Sequence, residues 1–335
     1  MLRDERELNR ICQRYRMRVI RIQPQEDFYL LETNRGPKEL RVWPRVDVLR
    51  WSFMWREQLA RQGFRDVERF IRTRDAKPYV VSGRKGYTLT DHVRSWTPLT
   101  PTVEQAKLCG QLVASMHLAQ SSQSSPAAVD LLNREQALIA AETERVRNLH
   151  DSFTSRSRLW QPEDKWVASQ FRPLLERMGR GVRLLSPESF DETELAVSHR
   201  FMDRGNLGIM KERVFLRGFY SPSLSVQQRD TAHFLRDLLL GGEGAERDRI
   251  DAFLDGYEAV KPLTYSDYRL LLAFMVPPQE LWQALHQYVH AASAGQREDC
   301  DIALIAESIR QQQSVDELLA HIARRAEDAR RGRGV

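Results

Sequence analysis

Cysteine is scarce in this chain, and so are long apolar runs. Its three cysteines, Cys12, Cys109 and Cys300, are odd in number and widely spaced. They fit neither a disulfide framework nor metal-ligand spacing, so a reducing compartment is expected. No Cys/His cluster has ligand spacing, which predicts no structural metal. Neither a secretion signal nor a membrane span is expected. The opening MLRDERELNRICQRYR is charged throughout, and no apolar window approaches the ~18 residues that a spanning helix needs. The chain is therefore read as cytoplasmic, with no membrane insertion. A long basic block is also missing before the terminal RRAEDARRGRGV, and 51 Lys and Arg against 46 Asp and Glu give only +5. This mild excess argues against a nucleic-acid partner.

The chain does have the material for sizeable cores: 41% of its 335 residues are hydrophobic and 29% are charged. That length suits one large two-lobed domain or two medium ones. A helix is predicted over 4–16. Strand-like runs follow at Met17–Ile22, Phe28–Glu32 and Glu39–Trp43, with Asn34-Arg35-Gly36-Pro37 as a hairpin turn. A helix over Val48–Gln62 stops at Gly63, and further strands are expected at Val67–Thr73 and Tyr79–Val81. Tyr87–Val93 reads as the connector to a helical remainder. There Thr102–Gln120 repeats Leu108, Leu112 and Met116 every four residues, and SSQSSPA at 121–127 reads as a linker. Helical patterns run through 128–150, 163–179, 227–241, 246–259, 265–275, 278–291 and 301–325, interrupted by a turn-rich stretch at 195–224. The expectation is an α+β chain: a β-rich lobe over 1–93 with one helix, and a mostly helical lobe over 94–335.

Kinase-type phosphoryl transfer needs a small set of groups in a set order. A strand cation holds phosphates, a helix glutamate orients it, and an Asp acts as base. An Asn five residues later and a second Asp after a hairpin hold the metals. Arg41 stands on the third strand, and Glu57 follows in WREQLARQGF, so the two read as a phosphate-binding remnant. Lys38 is the alternative cation, but strand alternation points it to the opposite sheet face. In VSHRFMDRGNL (197–207), His199 and Asn206 take the places that an H-x-D-x-x-x-x-N motif assigns, while the Asp position is Phe201. After a hairpin at Leu207–Ile209 and Val214–Leu216 comes Arg217-Gly218-Phe219, with Gly218 where the second Asp belongs. The degenerate loop thus spans 197–219. Asp203 is the one possible substitute base, and Asp230 in RDTAHFL reads as the anchor bracing the loop.

The ordered run GPKELRVWP, WREQLARQGFRDVERFIRTRDAKPYVV, GYTLTDHV, LVASMHLA, SHRFMDRGN, VFLRGF and RDTAHFLRDL resembles spore-coat kinase-like proteins of the CotS type. These are relatives of the aminoglycoside and choline phosphotransferases. The resemblance covers roughly residues 5–290. It implies a bilobal protein-kinase-like fold with a small antiparallel β lobe, a nucleotide cleft around Tyr87–Val93, and a role in the spore coat. Other spore-coat proteins would be the partners, and the protein would be made in the mother cell and end in the coat. The sequence departs from the active pattern at Arg41, Phe201 and Gly218. A catalytic base supplies about 10²–10⁴-fold, and the metal carboxylates hold Mg-ATP. The expectation is therefore an impaired enzyme needing no cofactor, with ATP and Mg²⁺ relevant only if activity is retained. A weak phosphotransferase using Asp203 and a binding scaffold without turnover are the alternatives.

Plainer roles are expected for several residues. His199 reads as a loop brace, and Asn206 also suits a turn. Phe201, Phe215 and Phe219 suit an apolar plug, and Trp43, Trp51 and Trp55 a core or interface cluster. Cys109 is expected to be buried in a helix without nucleophile partners.

Overall fold

The computed structural model describes residues 2–92, 102–120, 128–157, 161–190, 195–199, 207–210, 213–218, 224–240, 246–296 and 301–332. The chain divides into two compact units. One comprises 1–99 with 205–222, and the other 100–204 with 223–335.

In the first unit, helix α1 (Leu2–Cys12) places Leu8, Ile11 and Cys12 on one stripe, which packs with Tyr15 onto Leu31, Leu40, Tyr87 and Leu89. Those residues belong to an antiparallel sheet of β1 (Val19–Pro24), β2 (Tyr29–Thr33), β3 (Lys38–Trp43), β4 (Val80–Ser82) and β5 (Lys85–Asp91). Its strand order is β1-β2-β3-β5-β4. The predicted turn between β2 and β3 forms around Gly36 (φ 81°), with Thr33 Oγ1 donating to the Gly36 carbonyl at 2.6 Å. Strand alternation sends Leu40 towards α1 and puts Glu39, Arg41 and Trp43 on the other face, in register with Thr90, Thr88 and Gly86 of β5. Helix α2 (Val46–Arg61) packs on that face, burying Leu49, Ser52, Trp55, Arg56 and Leu59.

Two expectations change here. Val67–Thr73 is not a strand, because its backbone bonds go to different partners. Glu68 N donates to Leu216 O (2.7 Å), whereas Ile71 N donates to Leu89 O (2.7 Å), so no continuous ladder forms. The remaining strand is β5, which takes up most of the predicted connector and lies between β3 and β4. The expected hairpin is present as β7 (Leu207–Met210) against β8 (Arg213–Leu216). Trp43 and Trp55 are buried, and Trp51 stacks on Trp55 with rings 6.1 Å apart.

The second unit opens with α3 (Val103–Gln120), which crosses α8 (Glu246–Glu258) at very short range. A Cβ on Gly110 would stand 2.0 Å from the Phe253 carbonyl oxygen, and one on Gly256 would stand 2.1 Å from that of Lys107. Only glycine lets two helix backbones approach so closely. Cys109 on α3 is buried, and burial pushes its thiol up to about 12. The predicted 163–179 helix is two, α5 (Pro162–Ser169) and α6 (Phe171–Leu184). These pack with α4 (Ala128–Thr154), α10 (Gln279–Ser293) and α11 (Ile302–Gly332) around Phe171, Leu174, Leu285 and Ile305. Strand β6 (Val197–His199) pairs with β9 (Leu224–Val226), which runs into α7 (Gln227–Leu240), and α9 (Tyr265–Met275) packs on α7. Among the described residues, no helix is long and apolar enough to cross a membrane.

Candidate functional site

Phe201, Asp203, Asn206 and Phe219 lie outside the described residues. What is described is the frame around the loop that carries the first three. The backbone of His199 ends β6 opposite Leu224. Gln227, at the start of α7, ties this frame together: its side-chain amide donates to the carbonyls of His117 (2.8 Å) and Val197 (3.4 Å), and its backbone N–H donates to Ala196 O (2.7 Å). Asp230, one turn further along α7, is buried at 1% exposure with Oδ2 3.8 Å from His117 Nε2. His117 is wholly buried, its Nδ1 2.8 Å from the Tyr257 hydroxyl, and burial holds its pKa well below the usual histidine value. A neutral imidazole beside a buried carboxylate is a positioning arrangement, and no substrate atom is needed to explain it.

The first unit carries the charges. Arg41 and Glu57 do not make the expected pair. Arg41 donates to the Asp27 carbonyl (3.2 Å) and lies over the Phe28 ring, 5.7 Å from its centroid. The two Glu57 oxygens accept from Arg69 (3.0 Å) and Arg72 (3.3 Å). The physical reason is helix phase. Leu49, Ser52, Arg56 and Leu59 recur at three- and four-residue spacing on the buried stripe of α2, and Glu57 is rotated off it by about 100°. Lys38 is on the other sheet face, as alternation requires, with its ammonium 2.7 Å from Arg35 O and 2.9 Å from Asp91.

In place of that pair, β3 presents a buried acid and α2 a buried base. Glu39 is 4% exposed, with Oε1 2.9 Å from His92 Nδ1 and 3.7 Å from an Arg217 nitrogen. Arg56 is 2% exposed; it donates to the Gly218 carbonyl, lies 3.6 Å from Glu68, and sits over the Phe70 ring at 4.5 Å. Gly218 has φ 99°, a left-handed conformation that costs glycine little and other residues more. Beside Arg41 and Glu57, which do not pair with each other, the strand thus carries a buried carboxylate and the helix a buried guanidinium. Buried charges of this kind persist only when paired. The pairs run from β3 and α2 to the segment just after β8, and with the Leu216 backbone bonds to Asp66 and Glu68 they hold residues 216–218 within the first unit.

Sequence reasoning missed Glu39, Arg56 and Arg217. Alternation already placed Glu39 on the same face as Arg41, and the phase of α2 already placed Arg56 inward. Arg217 carried no signal, because its partner lies far away in sequence. Among the described residues no group of three or more His, Cys, Asp or Glu could hold a metal ion.

A five-stranded antiparallel sheet in this order, followed by a mostly helical unit, is the bilobal protein-kinase-like fold of the aminoglycoside phosphotransferases. The chain is similar to an aminoglycoside phosphotransferase from Alicyclobacillus acidocaldarius, with a TM-score of 0.77, 18% identity and coverage of 96% of both chains. It is also similar to an amicoumacin kinase solved with AMP-PNP and Ca²⁺, with a TM-score of 0.57, 11% identity and coverage of 94% of this chain and 93% of that one. A third likeness is to a microcompartment-associated aminopropanol kinase, with a TM-score of 0.54, 13% identity and coverage of 95% and 98%. At these identities the likeness is one of fold. No family model matches the chain. No curated protein matches it by sequence.

Proposed function

We propose that this chain is a catalytically impaired kinase-fold protein that serves as a structural or assembly component of the spore coat. The observation that carries the impairment is Glu39. Two residues before Arg41 and on the same sheet face, β3 presents a buried carboxylate already paired with His92 and Arg217, while Arg41 is turned to the Asp27 carbonyl and the Phe28 ring. A triphosphate brought to this face meets like charge, and displacing Glu39 from its partners would leave a buried ion uncompensated. Gly218, standing where a metal carboxylate belongs, supports the same reading, as does the sequence position of Phe201. The coat assignment rests on the ordered segments that resemble CotS-type proteins.

Thermal unfolding with ATP and Mg²⁺ tests the impairment. The midpoint is expected to stay unchanged, and a metal-dependent rise of several degrees would overturn the reading. ATP turnover abolished by Asp203→Ala would replace it with an altered phosphotransferase, a reading supported by the similarity to small-molecule kinases. Glu39→Lys sharpens the test by setting a lysine beside Arg217. Stability should fall by about 1–3 kcal/mol, and the protein should gain stabilisation by ATP absent from the wild type. Fractionation of spores with an antibody to the chain tests the coat role: recovery in the coat extract is expected, and exclusive recovery outside it refutes the assignment.

A further inference from the structure

Helix α10 carries two exposed histidines one turn apart, His286 and His290. Their Nε2 atoms are 3.1 Å apart, and their ring centroids are 4.3 Å apart at an interplanar angle of 55°. The two rings thus bring the same nitrogen of each within hydrogen-bond distance of the other. A neutral imidazole has one lone-pair nitrogen, so two Nε2 atoms at this separation either share a proton or share a cation. Two nitrogens 3.1 Å apart, each about 2.1 Å from a metal, subtend about 95° at it, close to the cis angle of square-planar and octahedral complexes.

The neighbouring residues restrain the first of these rings. Trp282, one turn before His286, meets it edge to face at 5.2 Å and 68°. Trp282 is itself fixed by donating its indole N–H to Glu142 of α4 at 2.5 Å. A groove of about 580 Å³ between α4 and α10, lined in part by Glu142, Asn148, Ser152, Trp282 and His286, opens beside the pair. Glu142 supplies a negative charge near His286. Restraint of the donor ring before binding lowers the ordering cost of chelation.

We infer that His286 and His290 form a bidentate site for a late first-row divalent metal, with water completing the coordination. The site lies on a helix that takes no part in the frame around the catalytic-loop segment, so it stands independently of the proposed kinase-fold role. Imidazole donors in cis favour Cu²⁺ over Ni²⁺ and Ni²⁺ over Zn²⁺.

Titration of the untagged full chain with Ni²⁺, followed by calorimetry, is the test. Saturable binding of one ion is expected. His286→Ala and His290→Ala should each weaken it about 100-fold, the gain a second linked donor confers. His233→Ala, an exposed histidine on α7, should leave it unchanged. With Cu²⁺, electron paramagnetic resonance should show coupling to two nitrogens in the wild type and one in either variant. Both positions are exposed, so the variants retain the fold, which circular dichroism verifies. Equal Ni²⁺ affinity in wild type and both variants, or no saturable binding at millimolar metal, overturns the inference.

Discussion

Two polar clusters, one in each unit, are held in contrasting ways. In the first, Glu39, Arg56, Glu68 and Arg217 are ions, matched in pairs around the segment after β8. In the second, His117 is held neutral and bonded to Tyr257, and Gln227 spends its amide on two backbone carbonyls. The second also buries an aspartate, Asp230, 3.8 Å from His117. Under the proposed function, the first is the cluster that disfavours phosphate. The difference teaches that the scaffold around the loop and the chemistry of the strand-and-helix pair are separable. The His117–Tyr257 and Gln227 bonds fix shape through neutral donors and acceptors, whereas phosphate binding depends on the sign of a few charges.

The largest expected effect strikes the scaffold. Gly110→Val or Gly256→Val drives a side chain into a backbone carbonyl, which neither helix can rotate away. Each should cost at least about 3 kcal/mol in urea unfolding, and the double variant should cost less than the sum because both relieve the same contact. Near-neutral values would break the view of α3 and α8 as a rigid crossing.

A smaller effect strikes the charged unit. Arg56→Met leaves Glu68 buried without its guanidinium and frees the Gly218 carbonyl, at a cost of about 3 kcal/mol. Adding Glu68→Leu should recover part of that loss, since two apolar groups tolerate burial better than a carboxylate that has lost its guanidinium. A double variant less stable than Arg56→Met would show that the Gly218 bond, and not the ion pair, holds this segment.

The smallest effect is on pH dependence. His117 has its pKa depressed in the folded state, so the unfolded chain binds the extra proton below about pH 6.5. Its contribution to stability is therefore full above that pH and is lost as pH falls, with a slope approaching 1.4 kcal/mol per unit. His117→Gln should flatten the acid limb of stability measured between pH 5 and 7.5, at some fixed cost from the lost Tyr257 bond. An unchanged slope would mean that His117 does not stay neutral.

The helical unit was largely legible in the sequence. α3, α8 and α9 lie within a residue or two of the expected limits, although Leu108, expected on the repeating stripe of α3, is exposed while Cys109, Val113 and Met116 are buried. Short strands were less legible. Val67–Thr73 has strand composition but divides its hydrogen bonds between β8 and β5, and Tyr87–Val93 looked like a connector although most of it is the inner strand β5. Composition cannot say which edge a short segment will find. For the candidate site, Phe201, Asp203 and Asn206 lie outside the described residues, whereas Arg41 and Glu57, expected as a pair, bind other partners because helix phase turns Glu57 away.

By itself, then, the sequence determined the order of elements, the facing of Glu39 opposite Lys38, and the absence of a carboxylate at Phe201 and Gly218. These follow from local periodicity and from identity at single positions. Only the tertiary structure decided which charges meet: Glu39 with Arg217 and His92, Arg56 with Glu68 and Gly218. Those partners are brought together from separate parts of the chain, and an ion's partner in a protein interior is chosen by proximity after folding, which no local pattern encodes.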